Sequence, residues 1–308
     1  MGTVAACSLH NMHIGIQLPE IERLVRWPEY RAMAVAAEQA GFDSLWLGDH
    51  LFYDKPEGSK GPWECWTLLA AIAAVTERPL LGPLVSPTAF RGPALLAKMA
   101  GTVDEISGGR LVLGLGSGWN QREFDAFDFP FDKRVTRFEE AFTIIAGLIR
   151  TGRVDFAGDY YQAPQTELVP PARTDLPIMI GSTGPRTLGI AATEMNWWNE
   201  WWSHFGNDPD ELAPLVDRVD GALRSAGRDP AEVVKSVALM VQLPGGAGRL
   251  MGAEVEAEAP PITGSAAEIA EQILRFSPLI DHVQLVVDPI TLESIEALEL
   301  VVARVHGG

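Results

Sequence analysis

The chain has 308 residues, 47% of them hydrophobic, with a net charge of −17 and a pI near 4.7. That apolar share is enough for a sizeable core, and the acidity argues against nucleic acid and anionic membranes, whose phosphates need a basic face. No apolar run nears the ~20 residues of a membrane span, and the first eleven residues lack the basic start and apolar core of a signal peptide, so a cytoplasmic protein is expected.

Short apolar runs alternate with longer helical patterns along the chain. Residues 12–18 read as a strand and 29–40 as a helix, with Gly41 as its C-cap. Residues 43–47 form the second strand, a polar loop covers 48–62, and 64–75 is a helix. The third strand is 80–85. The next helix is 93–106, with Pro93 in its first turn. The fourth strand, 110–115, enters a glycine-rich turn. A long amphipathic helix follows at 135–150, then an excursion at 154–173 that carries aromatics and three prolines. The remaining pairs are strand 176–180 with helix 185–193, the sixth strand and its exit loop over 195–202 with helix 209–226, strand 233–243 with helix 266–276, and strand 282–287 with helix 292–305. A Gly/Pro/Glu-rich loop spans 244–263. Eight strand–helix pairs imply parallel strands joined by helical crossovers. The expected fold is an α/β (β/α)8 TIM barrel, a single domain over 1–308, with insertions after strands 4 and 7. An open doubly wound sheet is the rival.

In such a barrel the chemistry sits on loops after the strands. After the second strand come Asp49 and His50, an acid/base pair for neutral pH, or a capping Asp beside a packed His. After the third come Ser86-Pro87-Thr88 and Arg91, a fork donor for an anion, or a helix-entry loop with a surface Arg. After the fourth, Gly114-Leu115-Gly116-Ser117-Gly118-Trp119 lets backbone amides approach a flat ring or an anion. It is not the dinucleotide fingerprint, which needs glycine where Trp119 stands. After the fifth, Gly181-Ser182-Thr183-Gly184-Pro185-Arg186 suits a phosphate, or is an ordinary capped turn. After the sixth, Trp197, Trp198, Trp201 and Trp202 could wall a planar cofactor or an apolar substrate, or fill the barrel top. No cluster has metal-ligand spacing, and no GxSxG elbow appears. Cys7 and Cys65 have no CxxC spacing, and a reducing cytoplasm is the simpler setting for them.

Taken together, three blocks resemble the luciferase-like family of flavin- and deazaflavin-dependent oxidoreductases. They are residues 81–98 continuing through Thr102 to Arg110 and Leu113 to Glu123, residues 41–46 with Asp49-His50, and residues 180–188. The resemblance covers nearly the whole chain. It implies a cofactor ring across the barrel mouth and a backbone bulge, often a cis peptide, between Gly82 and Ser86. By resemblance, Leu84, Val85 and Ser86 would lie under the cofactor ring, and Ser117, Gly118 and Trp119 would touch the ring or the phosphate tail. Gly181, Ser182, Thr183 and Arg186 would hold its phosphate. His50 would be the acid/base, with Asp49 as its orienter, and Trp197, Trp198 and Trp201 would face the substrate. Relatives that oxidise sugar phosphates carry an acid at the position of Trp119, so their mechanism does not transfer. Where relatives read Asp-Gly-Trp, this chain has Asn196-Trp197-Trp198, which leaves the substrate side altered. The Arg/Ala/Gly/Pro-rich composition and the Asp49-His50 pair favour coenzyme F-420 over FMN. The expected activity is therefore hydride transfer to or from a small organic substrate by a homodimer. The alternatives are an FMN-dependent two-component monooxygenase with a separate reductase, a cofactor-poor accessory barrel, and an aldolase or isomerase of phosphorylated substrates. The last lacks a convincing catalytic Lys after a strand.

Overall fold

The structure, a computed structural model, describes residues 12–55, 58–247 and 259–307; Cys7 and most of the loop after the seventh strand lie outside them. Among the described residues, eleven strands and ten α-helices follow one another: β1 (His13–Gln17), α1 (Trp27–Gln39), β2 (Ser44–Leu47), α2 (Cys65–Ala73), β3 (Leu80–Pro83), β4 (Ser86–Pro87), α3 (Pro93–Ser107), β5 (Leu113–Gly116), α4 (Gln121–Ala126), α5 (Arg134–Thr151), β6 (Arg153–Ala157), β7 (Gln162–Glu167), β8 (Ile178–Gly181), α6 (Pro185–Ala191), β9 (Trp197–Glu200), α7 (Pro209–Ser225), β10 (Val234–Gln242), α8 (Ala266–Leu274), β11 (His282–Asp288), α9 (Leu292–Ala297) and α10 (Glu299–Gly307).

Nine strands pair in parallel in the order β3-β2-β1-β11-β10-β9-β8-β5-β4. β3 and β4 are two halves of one stave, interrupted by a cis peptide between Leu84 and Val85. The ring closes because Leu81 also bridges to Leu111, accepting from Val112 N–H and donating to the carbonyl of Arg110. Eight staves result, in the expected barrel. Their apolar runs are near-continuous, as in VKSVALMVQ of β10 and HVQLVVD of β11, because helices cover the outer face while the inner face fills the barrel. Two helix signals read from the sequence hold: Gly41 takes a left-handed φ after α1, and Pro93 begins α3. The structure adds a left-handed Gly108 at the end of α3 and a capping box of Ser265 with Glu268 on α8.

Three details depart from expectation. The 154–173 excursion is an antiparallel hairpin, β6–β7, with mostly exposed alternate residues. The turn after the fourth stave contains the short helix α4, and the last helix breaks at Leu298 into α9 and α10. The sixth stave agrees with its reading as a strand and exit loop: β9 ends at Glu200, and Trp201 and Trp202 lie beyond it.

Close stave packing explains two glycines. A Cβ on Gly82 would lie 2.2 Å from the carbonyl oxygen of Val112, and one on Gly114 would lie 2.2 Å from that of Pro83. Both obstacles are backbone and cannot swing aside. Gly114→Ala is therefore expected to lower stability by roughly 1–3 kcal/mol through overpacking, read as a lower denaturation midpoint; an unchanged midpoint would show that the staves can separate.

The N-terminal end of the barrel is polar and holds a smaller cavity of about 330 Å3, lined by His13, Asp43, Trp197 and His282 among others. His282 is buried, with Nε2 2.7 Å from Ser44 Oγ, which also accepts from Trp46 Nε1. Burial first, and then the neighbouring His13, push the His282 pKa down to about 3, against the opposing charge of Asp43. The folded state thus keeps the ring neutral, while the unfolded chain takes up a proton near pH 6.5. The contribution is full above pH 6.5 and is lost as pH falls toward 3, at about 1.4 kcal/mol per pH unit. Between pH 6.5 and 5, urea unfolding of the wild type should lose about 2 kcal/mol more than that of His282→Asn; equal losses would show that His282 does not titrate this way.

Candidate functional site

The C-terminal ends of the staves surround a cavity of about 440 Å3, lined by residues from the exits of staves 1, 2, 3, 4, 5 and 6. Leu84 and Val85 at the break in stave 3, Pro87, Gly116, Ser117, Gly118, Trp119 and Gly181 make its largely apolar part. Val85 accounts for the local glycines: a Cβ on Gly116 would come within 2.8 Å of its Cγ2, and one on Gly181 within 3.0 Å. The valine side chain occupies the space those glycines leave, so the floor is apolar and carries few projections. Gly118 is held separately. Its φ is +76°, its Cβ would strike the ring of Phe124, and its carbonyl accepts from Arg134 Nη1 at 3.0 Å.

The polar part comes from Gln17, Glu20, His50, Asn199, Glu200 and His204. β2 runs out through Gly48, against which the Glu20 carboxylate packs closely. His50 follows, with 15% of its side chain exposed. Its ring contacts Tyr53 at 4.8 Å and Trp119 edge-on at 5.6 Å between centroids. Its Nδ1 lies 2.9 Å from Oε2 of Glu123, a buried residue of α4. The other oxygen of Glu123 accepts from the backbone N–H groups of Leu51 and Phe52. Burial lowers the proton affinity of His50, but the Glu123 hydrogen bond and the charges of Glu20, Glu123 and Asp49 outweigh it, so its pKa is raised. Glu20 accepts from Tyr53 Oη at 2.7 Å and from Gln17 Nε2 at 2.9 Å. Asn199 donates to Gln284 and Ser236 inside the barrel.

The cavity brings together His50, Leu84, Val85, Ser117, Gly118, Trp119, Gly181 and Trp201 from the sequence reading. Others stand elsewhere. Asp49 does not orient His50: its carboxylate takes both terminal nitrogens of Arg91, at 2.7 and 3.0 Å, and the hydroxyl of Ser86 at 2.6 Å. Adjacent residues at a strand end point to opposite sides, so Asp49 acts on His50 only through its charge. Ser86 lies behind the wall, bonded to Asp49 and to Trp66 Nε1. Trp197, at the start of β9, faces Trp46 and His282 near the other end of the barrel, and Trp198 is fully buried and donates to the Ser182 carbonyl. Neither reaches the cavity, because only the last residues of a stave do. Ser182 and Thr183 are partly exposed beyond Gly181, and Arg186 is exposed in an ion pair with Glu139. Arg91, an anion donor in the sequence reading, is committed to Asp49 and Glu64.

Sequence reasoning missed Glu20, Glu200 and the role of Glu123. Glu20 and Glu200 sit where staves 1 and 6 end, a signal that was available. Glu123 meets His50 from 73 positions away, which no local pattern reveals. Among the described residues, no group of three or more His, Cys, Asp or Glu side chains is arranged to hold a metal ion, and no helix is long and apolar enough to cross a membrane.

The luciferase-like monooxygenase family model matches residues 8–244. An uncharacterized protein of Mycobacterium tuberculosis is 32% identical over 228 residues, covering 69% of this chain and 77% of that one. A pyrimidine monooxygenase of Methylorubrum extorquens is 30% identical over 250 residues, covering 73% of this chain and 65% of that one. Among solved structures, an F-420-dependent secondary alcohol dehydrogenase in complex with an F-420–acetone adduct superposes with a TM-score of 0.82 over 96% of this chain and 99% of that one, at 19% identity. The match over most of the chain shows that the chain belongs to the luciferase-like monooxygenase family.

Proposed function

We propose that this oxidoreductase uses the deazaflavin coenzyme F-420 for hydride transfer to or from a small organic substrate, in the cavity at the barrel mouth. One observation carries the reading: His50 lines that cavity with its Nδ1 engaged by the buried Glu123. Nε2 is then the ring nitrogen left to meet a substrate. A carboxylate partner raises the proton affinity of the imidazole, which suits a group that takes a proton as a C–H bond gives up hydride, or returns one in reverse. When bound, the coenzyme supplies the hydride acceptor or donor.

The lining fits a planar ring. Leu84, Val85, Pro87 and residues 116–118 offer an apolar surface without large projections, while Gln17, Glu20 and Asn199 supply polar groups, the mix of a cofactor site. Gly181, Ser182, Thr183 and Arg186 would take the phosphate, and their small, partly exposed loop beside the cavity supports that role. Trp119 stands where sugar-phosphate oxidisers carry an acid, so the proton role falls to His50. A second reading, an FMN-dependent monooxygenase supplied by a separate reductase, is favoured by the likeness to the pyrimidine monooxygenase and by the FMN complex of a structurally similar monooxygenase.

Titration of the purified protein with F-420 and with FMN, oxidised and reduced, followed by tryptophan fluorescence, decides between them. Tighter F-420 binding is the expected result; tighter binding of reduced FMN would establish the second reading, and binding of neither would overturn both. His50→Ala is expected to lower kcat by about 100- to 10,000-fold, the usual worth of a positioned acid/base, with the coenzyme Kd unchanged. Full turnover by that variant would remove His50 from the chemistry.

A further inference from the structure

Glu200 ends β9 and lines the cavity with 3% of its surface exposed. Its two oxygens are treated unequally. Oε1 accepts from the Trp201 backbone N–H at 3.1 Å and lies 2.5 Å from Nδ1 of His204. Oε2 is sealed from water and, among the described residues, has no hydrogen-bond partner. Glu20, the other carboxylate of the cavity, has both oxygens engaged, by Tyr53 and Gln17. A buried carboxyl oxygen without a partner is costly in either protonation state, because the anion lacks a donor and the acid lacks an acceptor. Such a group is explained where a ligand completes it. The last torsion of a glutamate is broad, so a modest turn of the carboxylate offers Oε2 to the cavity.

The surroundings define the donor. Glu20 and Glu200 both line the cavity; no Lys or Arg stands among its described lining residues, and its two histidines, His50 and His204, each already face a carboxylate. Phosphate or carboxylate on a substrate would meet like charge there. Trp119 and Trp201 present aromatic surface that attracts cations, and Leu84, Val85 and Pro87 suit an apolar body. We propose that Glu200 is a substrate-recognition residue, and that the substrate is a largely apolar molecule carrying a cationic N–H group, a protonated amine or an amidinium, that donates to Oε2. This rests on reading the cavity as the substrate site.

The test uses the full chain and four probes of similar shape: benzylammonium, benzamidinium, benzyl alcohol and benzoate. Each is titrated by tryptophan fluorescence, with coenzyme binding measured separately. The expected result is that the two cations bind at least tenfold more tightly than the alcohol and the acid. Glu200→Gln should then weaken cation binding by tenfold or more and leave benzyl alcohol unchanged. Equal or tighter binding of benzoate or benzyl alcohol, no binding of any probe, or an undiminished cation preference in a folded Glu200→Gln overturns the proposal. The wild-type comparison needs no substitution, so a variant that fails to fold does not remove the test. If cations are preferred but neither F-420 nor FMN binds, the Glu200 site stands and the redox reading fails; if a coenzyme binds without any cation preference, the reverse holds.

Discussion

The arrangement of this barrel mouth turns on one buried carboxylate. Glu123 comes from the short helix after the fourth stave and reaches the exit of the second, where it meets His50 Nδ1 and the N–H groups of Leu51 and Phe52. Taking a carboxylate out of water is expensive, and three donors on one tight turn offset that cost. The turn cannot shift without stranding the charge. Two strand-exit loops are thereby locked together, and the His50 ring is fixed in the cavity wall against Tyr53 and Trp119. A second ionic group, Asp49 with Arg91, Glu64 and Ser86, braces the same segment from behind.

The apolar half of the site follows from how staves 3 and 4 meet. Gly82 and Gly114 let two backbones come so close that no side chain fits between them. The chain then breaks at Leu84–Val85, and Val85 lies in the gap left by Gly116 and Gly181. Backbone closeness, the interruption and the floor are one packing solution. The polar groups come from other staves: Gln17 and Glu20 from the first, His50 from the second, Asn199 and Glu200 from the sixth. A barrel collects these because every stave ends at the same rim.

Much of this was legible in the chain. Alternating apolar runs and helical stretches revealed all eight staves, and glycine-rich exits after the fourth and fifth marked part of where the floor would form. The cis peptide falls inside the stretch 82–86 where the family resemblance placed it. The misreadings share a cause. A run such as Trp197-Trp198 shows apolarity but not depth along a stave, and depth decides whether a side chain meets the cavity or the barrel's far end. Asp49 beside His50 suggested a pair, yet neighbours on an extended strand diverge, and the partner of each came from a distant segment: Arg91 for one, Glu123 for the other. The β6–β7 hairpin has little apolar alternation because it buries little.

The claim that organises all of this is that Glu123 holds and charges His50. NMR titration of the His50 ring in wild type and in Glu123→Gln measures it directly. The account predicts a wild-type pKa above the ordinary imidazole value of about 6.5, a proton fixed on Nδ1 in the neutral form, and a lower pKa in the variant. A His50 that titrates at or below its ordinary value, unmoved by the substitution, would contradict it.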